Sequence, residues 1–367
     1  VINASNLIIA RNLSDDLVES STKFEQLTKE ATGQLSSLEP TGDYLSQIER
    51  RLDYLAQLMP LDDVFNLDSK PLYLDWKRKS SRNPCELTSR PFRGLEVSLA
   101  QSRFITRAET TPIEIIYLHD RIASYLPMLT EASCGSYRES LLEITQDRIA
   151  KLAEIHELAW PLFRQQVKED THDRATLLKL LKKRIPDNFY INLFAHDPYE
   201  TSEHLQEAPE GSWGYVPTSS QCVLNLLDYL PADPNRVCAD LGSGKGSFLF
   251  PGALCLPNYF VGFDNNKELI ERGEQMKEHA QIKRVRFFYQ SVLDADLSQI
   301  DDFFVYSPFE DEKLIEQLSN KINIEAQDRD IRVIAGYAPL EHALDSMPSL
   351  TRIAKVAGRS IFASIGF

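Results

Sequence analysis

The chain of 367 residues is 43% hydrophobic, enough for two domains that each bury a core. Its 40 basic and 54 acidic residues leave a net charge of −14, which disfavours nonspecific attraction to phosphate backbones and makes nucleic acid a minority partner. No apolar run reaches transmembrane length and no signal peptide is visible, so no membrane partner is expected, although Val at position 1 leaves a removed start open.

Five cysteines, at 85, 134, 222, 238 and 255, lack paired metal spacing and read as reduced residues of a cytoplasmic protein. Asn3-Ala-Ser5 and Asn12-Leu-Ser14 fit the glycosylation pattern, but such short matches arise by chance.

The N-terminal half is helical in pattern. Leu17, Phe24, Leu27, Ala31 and Leu35 form one apolar stripe, opened by Ser14 and two aspartates that suit a helix N-terminus. Leu45, Ile48, Leu52, Leu55 and Met59 alternate at three and four residues and form a second seam. Gly33 and the break at Pro40-Thr-Gly42 fold the two into an antiparallel hairpin. So short a seam suits a bundle core better than a free coiled coil, and it is compatible with an oligomer through the same helices. Lys77-Arg-Lys79 with Arg82 reads as a solvated connector.

Thr111-Pro-Ile-Glu114 is a capping box with Pro at the first helical position, predicting a helix to about Tyr125. Leu142, Ile149, Leu152, Ile155 and Ala159 predict a longer amphipathic helix, with a bend at Pro161. Asp173 is a cap for a helix from Leu177 to Ile185, stopped by Pro186. Residues 1–185 are therefore expected to be a helical-bundle domain for substrate recognition or oligomerisation.

A polar hinge or lid follows, from Ala195 to His204 and on to Gly211. His196, Asp197, Glu200, Glu203 and His204 match no metal-ligand spacing, so exposed loop residues are expected and no metal is assigned. Gly211-Ser-Trp-Gly-Tyr-Val-Pro-Thr218 leads into an apolar helix, Val223 to Leu230, with Thr218 or Ser219 as its cap.

The next stretch is Val237-Cys-Ala-Asp-Leu-Gly-Ser-Gly-Lys-Gly-Ser247. It puts Asp240 and three glycines at the end of a short strand, where Gly242, Gly244 and Gly246 allow a tight turn and a close backbone approach. A helix start at Ser247 would aim free N–H groups at an anion. The third glycine comes one residue earlier than in the dinucleotide fingerprint G-x-G-x-x-G. Lys245 is expected to be solvated, and Pro251 with Gly252 to shorten or kink the helix.

A second strand, Tyr259-Phe-Val-Gly-Phe-Asp264, ends in a carboxylate that suits either ribose hydroxyls or the N-cap of the following helix, Lys267 to His279. Strands at Val285 to Tyr289, Phe303 to Tyr306 and Ile331 to Ala335 follow, with a helix from Asp311 to Ile322. Two final strand-like runs flank a turn at Ala357-Gly358-Arg359. The alternation is that of a doubly wound parallel sheet.

Asp240-Leu-Gly-Ser-Gly-Lys-Gly246 resembles motif I of the class I, seven-stranded, Rossmann-like methyltransferases that use S-adenosylmethionine. The resemblance covers roughly residues 186–367. It implies an α/β catalytic domain after the all-α bundle, with S-adenosylmethionine as cofactor. Asp240, Gly242, Ser243, Gly244 and Gly246 would then hold the methionine and ribose side, and Asp264 the ribose hydroxyls. Tyr306-Ser-Pro-Phe309 looks like motif IV, so Tyr306, Pro308 and Phe309 would shape the acceptor pocket, with Ser307 in place of the amide that base-methylating enzymes use. Tyr215-Val-Pro-Thr218 looks like the lead-in of a branch that includes protein-lysine methyltransferases, which makes Tyr215 and Thr218 cofactor neighbours. Where relatives carry Gly-Asp after the third strand, this chain has Gln290-Ser291, leaving Ser291 to meet adenine.

The resemblance implies a protein amine of the lysine type, or a small molecule, as methyl acceptor, with Glu310, Asp311 and His342 as candidate helpers in removing a proton. A degenerate scaffold working through partner helices and a nucleic-acid methyltransferase are the alternatives.

Overall fold

The computed structural model describes residues 52, 95, 98, 99, 102, 110–131, 135–183, 185, 186, 188–201, 215–306 and 308–366. Apart from Leu52, both expected N-terminal seams lie outside the described residues. So do Lys77 to Arg82, Cys85, Cys134, Glu203, His204, the segment 206–214 and Ser307. The chain divides into two compact units, Val1–His156 and Glu157–Phe367. The sequence pattern suggested a division at 185/186.

In the first unit, α1 (Pro112–Ala123) carries both arms of the capping box. Thr111 Oγ1 accepts from the Glu114 N–H at 3.4 Å, and Glu114 Oε2 accepts from the Thr111 N–H at 2.7 Å. A short α2 (Leu126–Glu131) and the long α3 (Gly135–Glu169) follow; α3 runs through Pro161, and the division between units falls inside it. Leu52, Leu95, Leu99, Leu118, Ile122, Leu129, Leu141 and Leu152 form the core here.

The second unit opens with α4 (Arg174–Lys183), capped as expected by Asp173, whose Oδ1 accepts from the Thr176 N–H at 3.1 Å, though the helix starts three residues early. After α5 (Phe189–Phe194) comes α6 (Ser220–Leu226), prolonged by a 3-10 turn at Leu227–Tyr229. Neither expected cap is realised at α6: Ser219 holds the cap position without a side-chain bond, and Thr218 is buried.

Then β1 (Val237–Leu241), α7 (Leu249–Cys255), β2 (Tyr259–Asp264), α8 (Lys267–Ala280), β3 (Val285–Tyr289) and β4 (Asp302–Tyr306) alternate. They continue as α9 (Glu312–Asp328), β5 (Arg332–Gly336), α10 (Ala338–Asp345), β6 (Leu350–Val356) and β7 (Arg359–Ser364). The seven strands lie in the order β3-β2-β1-β4-β5-β7-β6. All neighbouring pairs among β1 to β5 are parallel, and β7 inserts antiparallel between β5 and β6. β1 and β4 are apolar-rich and almost wholly buried, as strands covered on both faces must be. The chain leaves β1 towards β2 on one side and returns to β4 on the other. The crevice for a ligand therefore opens at the carboxyl ends of these two strands.

Two devices anchor that edge from opposite ends. At the amino end, Arg236 grips the fully buried Asp302 through two hydrogen bonds of 3.0 and 2.9 Å, and meets Asp330 at 3.0 Å. At the other end, Ala357 and Gly358 take φ of +49° and +76°, the paired positive angles of a two-residue hairpin turn, and return β7 beside β5. Helix α10, which periodicity missed, is eight residues long with Pro339 in its first turn.

Candidate functional site

The glycine loop follows β1 directly, and its shape depends on three positive φ angles: +103° at Gly242, +52° at Gly244 and +92° at Gly246. The N–H groups of Gly242 and Ser243 both donate to the Phe263 carbonyl, at 2.9 and 3.0 Å, which ties the loop to the end of β2. The Gly244 N–H donates to Asp264 Oδ2 at 2.8 Å, and the Gly246 N–H to the Ser243 carbonyl at 2.9 Å. Loop and β2 carboxylate thus form one unit.

Asp264 Oδ1 accepts from the Asn266 N–H at 2.8 Å, while Asn266 itself caps α8 by accepting from Glu268 and Leu269. The N-cap alternative for Asp264 therefore fails. Burial raises its carboxyl group above the ordinary range despite these hydrogen bonds.

Asp240 is different. It is 3% exposed, and no hydrogen bond to its carboxylate is found among the described residues. Burial first, and the charge of Asp264 second, push its carboxyl group well above the usual value. A buried carboxylate with no donor is costly unless something cationic or hydrogen-bonding meets it. This orphaned group fits the ammonium of an amino-acid ligand lying along the loop.

The other expected residues fall into three sets. Pro308 lies beside Gly242, where an added Cβ would stand 3.6 Å from its own Cβ, and Tyr306 ends β4 alongside. The Arg359 guanidinium lies 4.3 Å over the Tyr306 ring, so a cation stands beside the residues expected to shape an acceptor pocket. Phe309, by contrast, is 6% exposed and packed in the core with Ile315 and Leu318, where it anchors the loop.

Ser243 turns its hydroxyl under the sheet towards Gly262, where a Cβ would come within 2.5 Å of Oγ. Ser291 Oγ accepts from the Leu293 N–H at 3.3 Å, which leaves its own proton available. Of the proposed helpers, Asp311 is used as the cap of α9, and Glu310 and His342 are exposed.

Tyr215 packs directly on the loop. A Cβ at Gly244 would stand 2.1 Å from its ring, and its hydroxyl donates to the Pro198 carbonyl at 2.6 Å. Lys245 corrects the expectation of a solvated side chain: it is 3% exposed, and its Nζ donates to the carbonyls of Glu200 at 2.5 Å and Asp197 at 3.3 Å. Tyr199 adds a bond of 2.9 Å to the Ser247 carbonyl. Residues 197–200, expected as exposed hinge, are therefore pinned over the loop. Only the Asp197-Pro-Tyr199 run hints at this in the sequence, and Arg359 carries no signal at all.

The helix after the loop is short, as expected, at seven residues, but Pro251 does not weaken it. This proline occupies the third position of α7, where the first-turn N–H has no intrahelical partner, so no hydrogen bond is lost. Gly252 is required by packing, since a Cβ there would meet Phe260 at 2.3 Å.

Strand order, glycine loop and β2 carboxylate give this part of the chain the seven-stranded, Rossmann-like fold of the class I methyltransferases. Residues 232–316 match a family model described as a methyltransferase domain. Among solved structures, the chain is similar to an RNA methyltransferase from Salinibacter ruber in complex with S-adenosyl-L-homocysteine. The identity is 20%, over 41% of this chain and 92% of that one, with a TM-score of 0.34. It is also similar to magnesium protoporphyrin IX methyltransferase from Synechocystis PCC 6803 with bound SAM, at 19% identity over 40% and 78% of the two chains, with a TM-score of 0.32. No curated protein matches the chain in sequence. No helix among the described residues is long and apolar enough to cross a membrane.

Proposed function

We propose that residues 186–367 form a catalytic domain that transfers a methyl group to an amine of a protein, of the lysine type, or to a small molecule, and that residues 1–185 present the acceptor or pair the chains. The observation that carries this is Asp240, a buried carboxylate with no hydrogen-bond partner among the described residues, at the switch point of the sheet and next to the glycine loop.

Asp240 would hold the ammonium of the methionine portion and Asp264 the ribose hydroxyls, through lone pairs left free by Gly244 and Asn266. Tyr215 and Thr218 close the methionine end, and Ser291 offers a donor to the base. When bound, S-adenosylmethionine supplies a methyl carbon already activated by its sulfonium. The chain's own work is then positioning and exclusion of water: Pro308 and Tyr306 hold the acceptor in line, and the 197–200 segment shields the loop. No strong base is needed, though a lysine amine must shed its proton before attack. The net charge of −14 works against a nucleic-acid acceptor.

Two measurements test the proposal. Titration with S-adenosylhomocysteine should show one saturable site, and no heat at millimolar ligand leaves only the degenerate scaffold. Radiolabelled methyl transfer into a lysate of the host, fractionated by molecular class, should label protein or small molecules. Label confined to nucleic acid overturns the acceptor class.

A further inference from the structure

A second polar cluster sits in the first unit. His119 and Asp120 lie on α1 and His156 on α3, at the border of a core formed by Leu118, Ile122 and Leu152. Asp120 Oδ1 faces two imidazole nitrogens at once, His119 Nδ1 at 2.9 Å and His156 Nε2 at 3.2 Å. The three side chains are only 15–18% exposed. His156 Nε2 is buried and, for all its closeness to the carboxylate, has no hydrogen bond of acceptable geometry. Among the described residues, this is the one group of three or more His, Cys, Asp or Glu side chains whose ligand atoms converge, all within 4.8 Å of one another.

We propose that His119, Asp120 and His156 bind a divalent transition-metal ion, zinc foremost. Two nitrogens and one carboxylate oxygen match zinc and its borderline neighbours and exclude the all-oxygen preference of calcium and magnesium. Ligands about 2.0–2.1 Å from a tetrahedral ion stand about 3.3 Å from each other. The observed 2.9 and 3.2 Å are close to that edge.

The imidazole rings are stacked, with centroids 3.9 Å apart and planes at 22°, so the two nitrogens lie side by side above one oxygen. Closing on an ion requires the rings to splay by rotation about their side-chain bonds. Three protein ligands leave a fourth position for water. Bound there, the ion would cross-link α1 to α3.

The test uses the full chain, stripped with chelator and titrated with zinc, and then loaded with cobalt. One equivalent of zinc should bind, and His119→Gln or His156→Gln should weaken it about tenfold or more. Cobalt should give visible bands of a low-coordinate nitrogen and oxygen site. Asp120→Asn, nearly isosteric, repeats the test where a histidine variant fails to keep its far-ultraviolet circular dichroism. Absence of saturable zinc binding, unchanged affinity in the folded variants, or an intense thiolate band placing the ion on cysteines would each overturn the proposal. None of these readouts depends on methyl transfer.

Discussion

Replacing Asp240 by Asn should stabilise the ligand-free protein and weaken cofactor binding together, a pairing that a structural role for Asp240 does not produce. The carboxylate is 3% exposed and has no donor among the described residues, so its charge raises the free energy of the folded state alone. An unsatisfied buried polar group costs about 1–3 kcal/mol, more when charged, and the amide keeps part of that cost. A gain of about 1–2 kcal/mol is therefore expected, and at about 2–4 °C per kcal/mol for a domain of this size the midpoint rises by about 2–8 °C. The same change removes a charge-assisted bond to the ligand ammonium worth about 1.5–3 kcal/mol, or roughly 10- to 150-fold in affinity for S-adenosylhomocysteine.

The sign with pH is fixed. A carboxyl group whose folded pKa lies above its unfolded value contributes stability below about pH 4 and loses it as pH rises through the folded value. The advantage of the Asn variant should thus vanish near pH 4 and grow upwards from there. Differential scanning fluorimetry from pH 4 to 8 and calorimetric titration at pH 7 measure both arms. A lower midpoint in the variant with unchanged ligand affinity would refute the reasoning.

Three further outcomes follow from the packing. Gly244→Ala places a Cβ 2.1 Å from the Tyr215 ring at φ +52°, so it should cost about 1–3 kcal/mol in urea unfolding and reduce S-adenosylhomocysteine affinity; full affinity would mean that Tyr215 is no part of the site. Arg236→Ala leaves the fully buried Asp302 unpaired and should cost about 3–5 kcal/mol, while any variant that still folds should bind ligand normally, since the pair lies at the opposite end of the sheet. His172 is held below its ordinary pKa, chiefly by burial, with its Nε2 2.8 Å from the Leu254 carbonyl. Its contribution to stability is present above about pH 6.5 and lost as pH falls through the depressed folded value. His172→Gln should flatten that acid limb of a midpoint-against-pH curve, and an unchanged slope would assign the limb to other groups.

Sheet and loop were legible in the sequence because their signals are local. An apolar strand, a run of glycines at forced positive φ, and a carboxylate at the next strand end are each written within a few residues. Asp173 and Thr111 announced their helices for the same reason, since a cap reaches only two or three residues along the chain. What escaped depends on contacts between distant segments. Lys245 reads as solvated beside two glycines, yet it is buried because carbonyls about 45 residues earlier fold across it. Arg359 looks like a turn residue until β7 inserts antiparallel beside β5 and sets its guanidinium over Tyr306.

These distant contacts act at one edge. The loop's own N–H groups are largely consumed internally, by Phe263, Asp264 and Ser243. Under the proposed function, recognition of a ligand falls to groups that the loop positions: Asp240, which has no hydrogen-bond partner among the described residues, the remaining lone pairs of Asp264, and the Tyr215 ring held on Gly244. The glycines build the cradle, and the side chains around it set what the cradle accepts. A variant that tightens the loop without touching those side chains should raise stability while leaving affinity unchanged.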